Sequence, residues 1–259
     1  MTKKRITSWG KVSEWYHELL SSGDTYQEKV ILPNLLRIAN FKKNERVLDV
    51  ACGEGYFTRA FAKTGVQMTG ADISPELITF AKKLSSQTSF FTASIARLFF
   101  ARDNSFDAAL CVLGLQNIEH IKEGIVEVSR VLKPGGRFIA VLNHPCFRIP
   151  KRSSWGFDDE KHIQYRRIDG YLSESRASID VYPGKTARGE KPSVTYSFHR
   201  PLQVYLKAFF AAGFSLTRFE EWNSHKKSEH GPRVKAEDRA RKEFPLFLCI
   251  VAEKKNPHV

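Results

Sequence analysis

The chain has 259 residues, 42% of them hydrophobic and 12% aromatic, with 41 Lys and Arg against 28 Asp and Glu for a formal charge of +13. That length suits one α/β domain with additions, and the apolar share is ample for a buried core. No apolar run approaches the roughly 20 residues needed to span a bilayer, which argues against a membrane partner. The start, Met1-Thr-Lys-Lys-Arg-Ile-Thr, is basic, but no apolar stretch follows it, so it is not read as a secretory signal and a cytoplasmic protein is expected. Oligomeric state is left open.

In chain order, apolar residues at helical spacing predict two N-terminal helices over 9–20 and 26–38. Ser21-Ser-Gly-Asp24 separates them, with Asp24 as candidate N-cap and Pro33 as a kink or break in the second. Strands over 47–51 and 66–71 then alternate with helices over 56–63 and 75–84, with Pro75 in the first turn of the latter. Further strands are expected over 89–92 and 106–113. A helix over 118–132, ended by Lys133-Pro-Gly-Gly136, leads to a strand over 137–142. Short buried strands alternating with helices indicate a doubly wound parallel sheet, whose ligands bind where the strands' C-terminal ends meet one edge.

The rhythm breaks over 143–197, which is rich in Pro, Arg and Tyr, with some alternation over 163–181. It is too long for an ordinary connection, and its aromatics argue against disorder. A helix over 202–212, a strand over 215–220, a charged segment over 223–243 and a strand over 246–252 complete the chain. Four parts are expected: a helical cap (1–44), a core (45–143), a lid-like insertion (144–200) and a C-terminal section (201–259). The four cysteines, Cys52, Cys111, Cys146 and Cys249, lack metal-ligand spacing, so no metal is expected and reduced thiols are the reading.

Basic residues cluster at Lys3-Lys4-Arg5, Lys151-Arg152, Arg166-Arg167, Lys226-Lys227 and Arg239-Ala-Arg241-Lys242, with acidic residues among most of them. A solvated mixed-charge surface is the default, and a nucleic-acid partner stays open.

The strongest chemical signal is Val47-Leu-Asp-Val-Ala-Cys-Gly-Glu-Gly-Tyr-Phe57. A buried strand ends at an acidic residue and a tight Gly-x-Gly turn, then feeds a helix whose start can receive an anionic group. Thr58 stands where a dinucleotide fingerprint has its third glycine, and no Gly-Lys-Ser/Thr phosphate loop is present. Asp72, at the end of the next strand in Gly70-Ala-Asp-Ile-Ser-Pro75, is placed to accept hydrogen bonds from the ribose hydroxyls of an adenosyl ligand, or to cap the following helix.

Together with Asn104-Ser-Phe-Asp-Ala-Ala-Leu-Cys-Val-Leu113 and Glu127-Val-Ser-Arg-Val-Leu-Lys-Pro-Gly-Gly-Arg-Phe138, these elements make residues 45–143 resemble the class I S-adenosylmethionine-dependent methyltransferase superfamily. The resemblance implies an α/β, Rossmann-like seven-stranded sheet with an antiparallel last strand, here 246–252, beside 215–220. It implies S-adenosyl-L-methionine as cofactor and S-adenosyl-L-homocysteine as product. Asp49 would organise the turn near the cofactor's amino group, Ala51, Gly53 and Gly55 would contact its methionine end through the backbone, and Cys52 and Tyr56 would join the cofactor site. Asp72 would hold the ribose, with Ile73 against the adenine. Ser94 and Ile95 match a place where the family often has an acidic residue contacting the adenine, and Ser94 departs from it. Ala51, in place of the more usual glycine, is a milder departure. Cys111, Val112 and Gln116 would line the sulfonium end.

Methyl transfer asks mainly for alignment, exclusion of water and sometimes a base. His144, just past the fifth strand in Asn143-His-Pro-Cys-Phe147, is a candidate base, or a structural histidine in a tight turn. Tyr16 resembles the helix tyrosine that covers the cofactor in this family. His199 and Arg200, with Tyr205, open the helix after the insertion and face the pocket or cap the helix. Tyr165 and Arg166 are candidates for an acidic or aromatic substrate. A small-molecule acceptor under the insertion is the first reading, RNA methylation the second, and a non-catalytic cofactor-binding protein the third.

Overall fold

The computed structural model describes residues 23–180, 183–189 and 191–256. The expected helix over 9–20 and Tyr16 lie outside the described residues.

A π-helical turn, Gln27–Ile31, runs directly into α1 (Leu32–Ala39). The expected break at Pro33 is therefore a change of helical pitch rather than an end. Proline supplies no N–H, and the Asn34 side chain donates to the Val30 carbonyl at 2.9 Å. Asp24 does not cap this helix. The Thr25 hydroxyl accepts from Glu28 N–H at 3.1 Å, while Asp24 Oδ1 pairs with His225 Nε2 at 2.9 Å.

Then come β1 (Arg46–Val50), α2 (Tyr56–Ala62), β2 (Gln67–Asp72), α3 (Pro75–Leu84), β3 (Ser89–Thr92) and β4 (Phe106–Val112). A 3-10 turn, Leu115–Asn117, precedes α4 (Ile121–Val131), so the helix expected from 118 starts later. β5 spans Leu132–Asn143. Lys133-Pro-Gly-Gly136 does not separate helix from strand. It bulges inside β5, where the register slips between Phe106↔Leu132 and Ala108↔Arg137. Gly136 lies so close to the backbone that a Cβ there would fall 2.7 Å from the Lys133 carbonyl oxygen.

Beyond β5 the expected irregular insertion holds two hairpins, β6 (Ser153–Asp158) with β7 (Ile163–Ile168), and β8 (Ser175–Asp180) with β9 (Val194–His199). α5 (Leu202–Ala211), β10 (Phe214–Trp222), α6 (Val234–Glu243) and β11 (Phe247–Lys254) follow.

The main sheet has seven strands in the order β10-β11-β5-β4-β1-β2-β3. β1 to β5 are mutually parallel, and β11 is antiparallel to both neighbours, β5 and β10, as the resemblance implies. Strand alternation divides the apolar residues between two cores. Leu48, Ala109, Phe138, Ala140 and Ile250 pack on one face with Ile125 of α4 and Phe209 of α5. Val47, Leu110, Ile139 and Val251 pack on the other with Leu35 of α1 and Phe61 of α2. Burial on both faces accounts for the near-continuous apolar strands. Among the described residues, no helix is long and apolar enough to cross a membrane, and no group of three or more His, Cys, Asp and Glu is placed to hold a metal.

Candidate functional site

At the C-terminal ends of β1, β2 and β4 a cavity of about 740 Å³ opens. β1 pairs with both β2 and β4, so Asp49 lies level with Gly70 on one side and Leu110 on the other. The chain leaves β1 through Ala51, Gly53 and Gly55, at φ 55°, 58° and 77°. That left-handed path is easy for glycine and costly for Ala51. Leu113, just past β4, has φ 55° as well, so two non-glycine residues bordering the cavity carry backbone strain.

Asp72 closes the turn from the next strand. Its Oδ2 accepts from Gly53 N–H and its Oδ1 from Ser74 N–H, each at 2.9 Å. The helix-capping alternative falls to Ser74, whose hydroxyl accepts from Leu77 N–H. Burial pushes the Asp72 carboxyl up, opposed by the backbone N–H groups of Ser74, Gly53 and Ile73. A carboxylate accepts about four hydrogen bonds, so lone pairs remain for a diol.

Asp49 is 1% exposed and points towards α2, where the Thr58 hydroxyl donates to its Oδ2 at 2.6 Å. Thr58, which in the sequence only broke a glycine pattern, thereby orients the acid. Burial pushes Asp49 up to about 7, opposed by Thr58 and reinforced by Asp72. Among the described residues, no cation is one of the groups acting on it. Burial likewise raises the Cys52 thiol well above its usual range.

Of the candidate cofactor residues, Asp49, Ala51, Cys52, Gly53, Tyr56, Asp72, Ile73 and Val112 line the cavity. Ile73 is 52% exposed, an apolar side chain left at the rim. Gly55 sits behind the turn as N-cap of α2. Cys111 is buried beneath, its Sγ 2.8 Å from where a Cβ on Gly114 would stand. Ser94 accepts from Ala96 N–H in a tight turn, and Ile95 packs against Gly124; neither lines the cavity. Leu77, Leu113, Asn117 and Ile118, not singled out in the sequence, also line it. Three of them follow β4, and of these only Leu113 belongs to the motif at 104–113.

Gln116 faces away from that cavity. Its Nε2 donates to the Leu113 carbonyl at 2.9 Å, beside Asn117 Nδ2 at 3.1 Å. It borders a smaller cavity of about 280 Å³ with Asn143, Arg148, His199, Arg200 and Tyr205. Among the described residues, Gln116 Oε1 and Arg200 Nη1 are buried there without a hydrogen-bond partner. Arg200 Nη2 is engaged by the Ile118 and Glu119 carbonyls at 2.9 and 2.6 Å. Burial raises the Tyr205 phenol, against the pull of the neighbouring Arg200 guanidinium.

His144 borders neither cavity. Its Nδ1 accepts from Cys146 N–H at 3.2 Å and its Nε2 meets Glu221 Oε1 at 2.7 Å, so both ring nitrogens are engaged. His199 donates through Nε2 to the Tyr171 carbonyl at 2.8 Å, and burial holds its pKa below the usual histidine range. Tyr165 is exposed on β7, its ring lying over Gly156 of β6. Arg166, its neighbour, points to the other face of the hairpin and borders a third cavity.

A family model described as "Methyltransferase domain" matches residues 48–140, which include the turn, Asp72 and β4. A demethylmenaquinone methyltransferase of Chlorobaculum parvum is 34% identical over 173 residues, 66% of this chain and 70% of its own. The chain belongs to the class I S-adenosylmethionine-dependent methyltransferase superfamily. A demethylmenaquinone methyltransferase of Paenarthrobacter aurescens is 33% identical over 130 residues, 50% of each chain. The chain spans about half the length of the first curated relatives it matches. An S-adenosylmethionine-dependent methyltransferase structure from Mesorhizobium loti superposes with a TM-score of 0.67 at 25% identity, covering 89% of this chain and all of that one.

The family's cofactor is S-adenosylmethionine, and the residues present fit it. The buried Asp49 carboxylate has no cationic partner among the described residues, and an ammonium group would supply one. Within the turn Ala51 carries only a Cβ and Gly53 no side chain, which lets a ligand approach the backbone there, and the Ile73 rim is apolar.

Proposed function

We propose that this protein transfers a methyl group from S-adenosylmethionine to a small molecule whose reacting atom lies beside the 113–118 turn. The observation that carries this reading is the turn itself, which borders the cofactor cavity on one side and the cavity of Gln116 and Arg200 on the other. The names of the relatives, demethylmenaquinone and ubiquinone-biosynthesis methyltransferases, support a small acceptor. Bound S-adenosylmethionine supplies a methyl group on a sulfonium that leaves readily as a neutral sulfide. The chain's residues then bind and align. Asp72 holds the ribose, and Asp49 attracts the amino group. Val112, Leu113 and Ile118 exclude water. The unpartnered Gln116 Oε1 and Arg200 Nη1 take a donor and an acceptor from the acceptor molecule, because leaving them unmet in a buried site is costly. We assign any base role to His199 rather than His144, because His199 borders this cavity and His144 borders neither. A nucleic-acid acceptor is less favoured, since basic side chains such as Arg37, Arg59, Lys133 and Arg233 are paired with acids.

Incubation with S-adenosylmethionine labelled in its methyl group, against a panel of phenols, hydroquinones and amines, tests the reading. Label is expected in a small-molecule product while S-adenosylhomocysteine accumulates. Label appearing only in RNA would overturn it.

The raised Asp49 pKa also predicts how the cofactor-free fold responds to pH. The unfolded chain gives up this proton near pH 4 and the folded one near 7. Below the lower value both states are protonated and burial of the neutral acid is tolerated. As pH rises between the two values the unfolded state releases its proton first, so stability falls across that window and then levels off. Urea midpoints at pH 5 and pH 8 are expected to fall more in the wild type than in Asp49→Asn. Equal declines would refute the assignment.

A further inference from the structure

Three guanidinium groups converge on one aromatic pocket that, among the described residues, is lined by no acid. The cavity, of about 700 Å³, is bordered by Arg148, Arg166 and Arg241, with Phe147, Trp155 and Phe244. Its walls come from the segment after β5, the β6–β7 hairpin, and the end of α6 with the approach to β11, so it stands over the C-terminal end of β5 and the N-terminal end of the antiparallel β11. Arg148 also borders the cavity of Gln116 and Arg200, which places the pocket next in line after the cofactor and acceptor cavities.

The hydrogen-bond partners of these arginines are neutral. Arg148 Nη1 donates to Asn143 Oδ1 at 2.6 Å. Arg166 donates to the Phe147 carbonyl at 3.0 Å and to Ser153 Oγ at 2.8 Å, and lies 5.0 Å over the Trp155 ring. Arg241 donates to Ser228 Oγ at 2.9 Å. Asp238 feels the charge of Arg241, but its Oδ1 is taken by Ser228 N–H. Burial pushes the Arg148 guanidinium below its usual range; Tyr26 opposes this and Arg166 adds to it. Partly buried like charges without a counter-ion are unfavourable unless something of opposite sign fills the space between them. Trp155 and Phe147 each meet Phe244 edge-on, at 5.4 and 5.5 Å, and make a surface for a flat ring.

We propose that this pocket binds an aromatic oxyanion, a ring carrying a carboxylate or a similar planar acid, and that it anchors the methyl acceptor by that end. The assignment of the ligand as acceptor rests on the function proposed above. Guanidinium groups pair with planar oxyanions through two parallel hydrogen bonds, and the aromatic walls take the ring. A compact pocket framed by three elements suits a small molecule better than an extended strand of RNA.

The test uses matched pairs of an acid and its neutral amide: benzoate and benzamide, 2-naphthoate and 2-naphthamide, indole-3-acetate and indole-3-acetamide. Binding to the full chain is read by calorimetry and ligand-observed NMR, with and without saturating S-adenosylhomocysteine. At least one acid is expected to bind about 10-fold tighter than its amide, a gap of about 1.4 kcal/mol, and to bind alongside S-adenosylhomocysteine without displacing it. Arg166→Gln and Arg241→Gln should each remove most of that preference and Arg166→Lys should keep part of it, while S-adenosylhomocysteine affinity stays within twofold. Using two positions guards against a local fault in the hairpin. Acids and amides binding alike, no binding by any pair, displacement of S-adenosylhomocysteine, or a uridine hexanucleotide outcompeting every acid through the same arginines would overturn the proposal. Loss of S-adenosylhomocysteine binding by the wild type would instead overturn the function proposed above.

Discussion

Replacing Asp72 with alanine is expected to weaken S-adenosylhomocysteine binding about 100-fold, near 3 kcal/mol. Two effects combine. The carboxylate that would receive the ribose hydroxyls is removed, and Gly53 and Ser74 lose the acceptor that ties the 51–55 turn to the end of β2. Hydrogen bonds to a charged group contribute about 1.5–3 kcal/mol each, so loss of the ribose pair alone approaches this figure. Asp72→Asn should fall between the two, because its amide keeps one accepting oxygen and no charge. Calorimetry measures both. A change of less than threefold in Asp72→Ala would remove this residue from the cofactor site.

The second large effect is on the fold. Gly55→Ala meets two penalties at once. Its backbone stands at φ 77°, and a Cβ would lie 2.7 Å from Cε1 of the buried Phe90 ring. The left-handed conformation costs roughly 1–2 kcal/mol for an L-residue, and overpacking about 1–3 more. A loss of about 3 kcal/mol is expected, lowering Tm by roughly 6–12 °C for a domain of this size. Gly213→Ala provides the comparison, since its φ is 82° but nothing lies within 4 Å of the added carbon. It should lose only the conformational part. Equal losses in the two variants, read by thermal unfolding, would mean that Phe90 yields without cost.

The cofactor half of this molecule is legible in the sequence because its determinants are local. Asp49 near the end of one strand, a turn through Gly53 and Gly55, and Asp72 at the end of the next strand lie within 24 residues, and parallel pairing of adjacent strands brings them together. Alternation of apolar strands and helical runs likewise conveys the parallel part of the sheet, whereas the seven strands with an antiparallel β11 follow only from the family resemblance. What the pattern does not carry are contacts made between distant segments. Thr58 reads as a missing glycine until α2 folds over β1 and presents its hydroxyl to Asp49. Residues 143–197 read as irregular because their hairpins are only half-buried, with polar and aromatic residues on both faces instead of a continuous apolar run. Arg166 is conspicuous there, but Arg148 follows a proline turn and Arg241 lies in a charged segment 93 residues on, and only the tertiary fold sets them around one pocket. Asp24 was a reasonable cap by residue type, yet Thr25 sits one position nearer the first free N–H groups, while Asp24 is held by His225 from the far end of the chain.

A crystal structure with S-adenosylhomocysteine bound tests the central claim most directly. The ribose hydroxyls are expected on the Asp72 carboxylate, the adenine against Ile73 and Leu77, and the amino end over Ala51 to Gly53 near Asp49. Product bound elsewhere, or in this cavity with the ribose out of reach of Asp72, would contradict it.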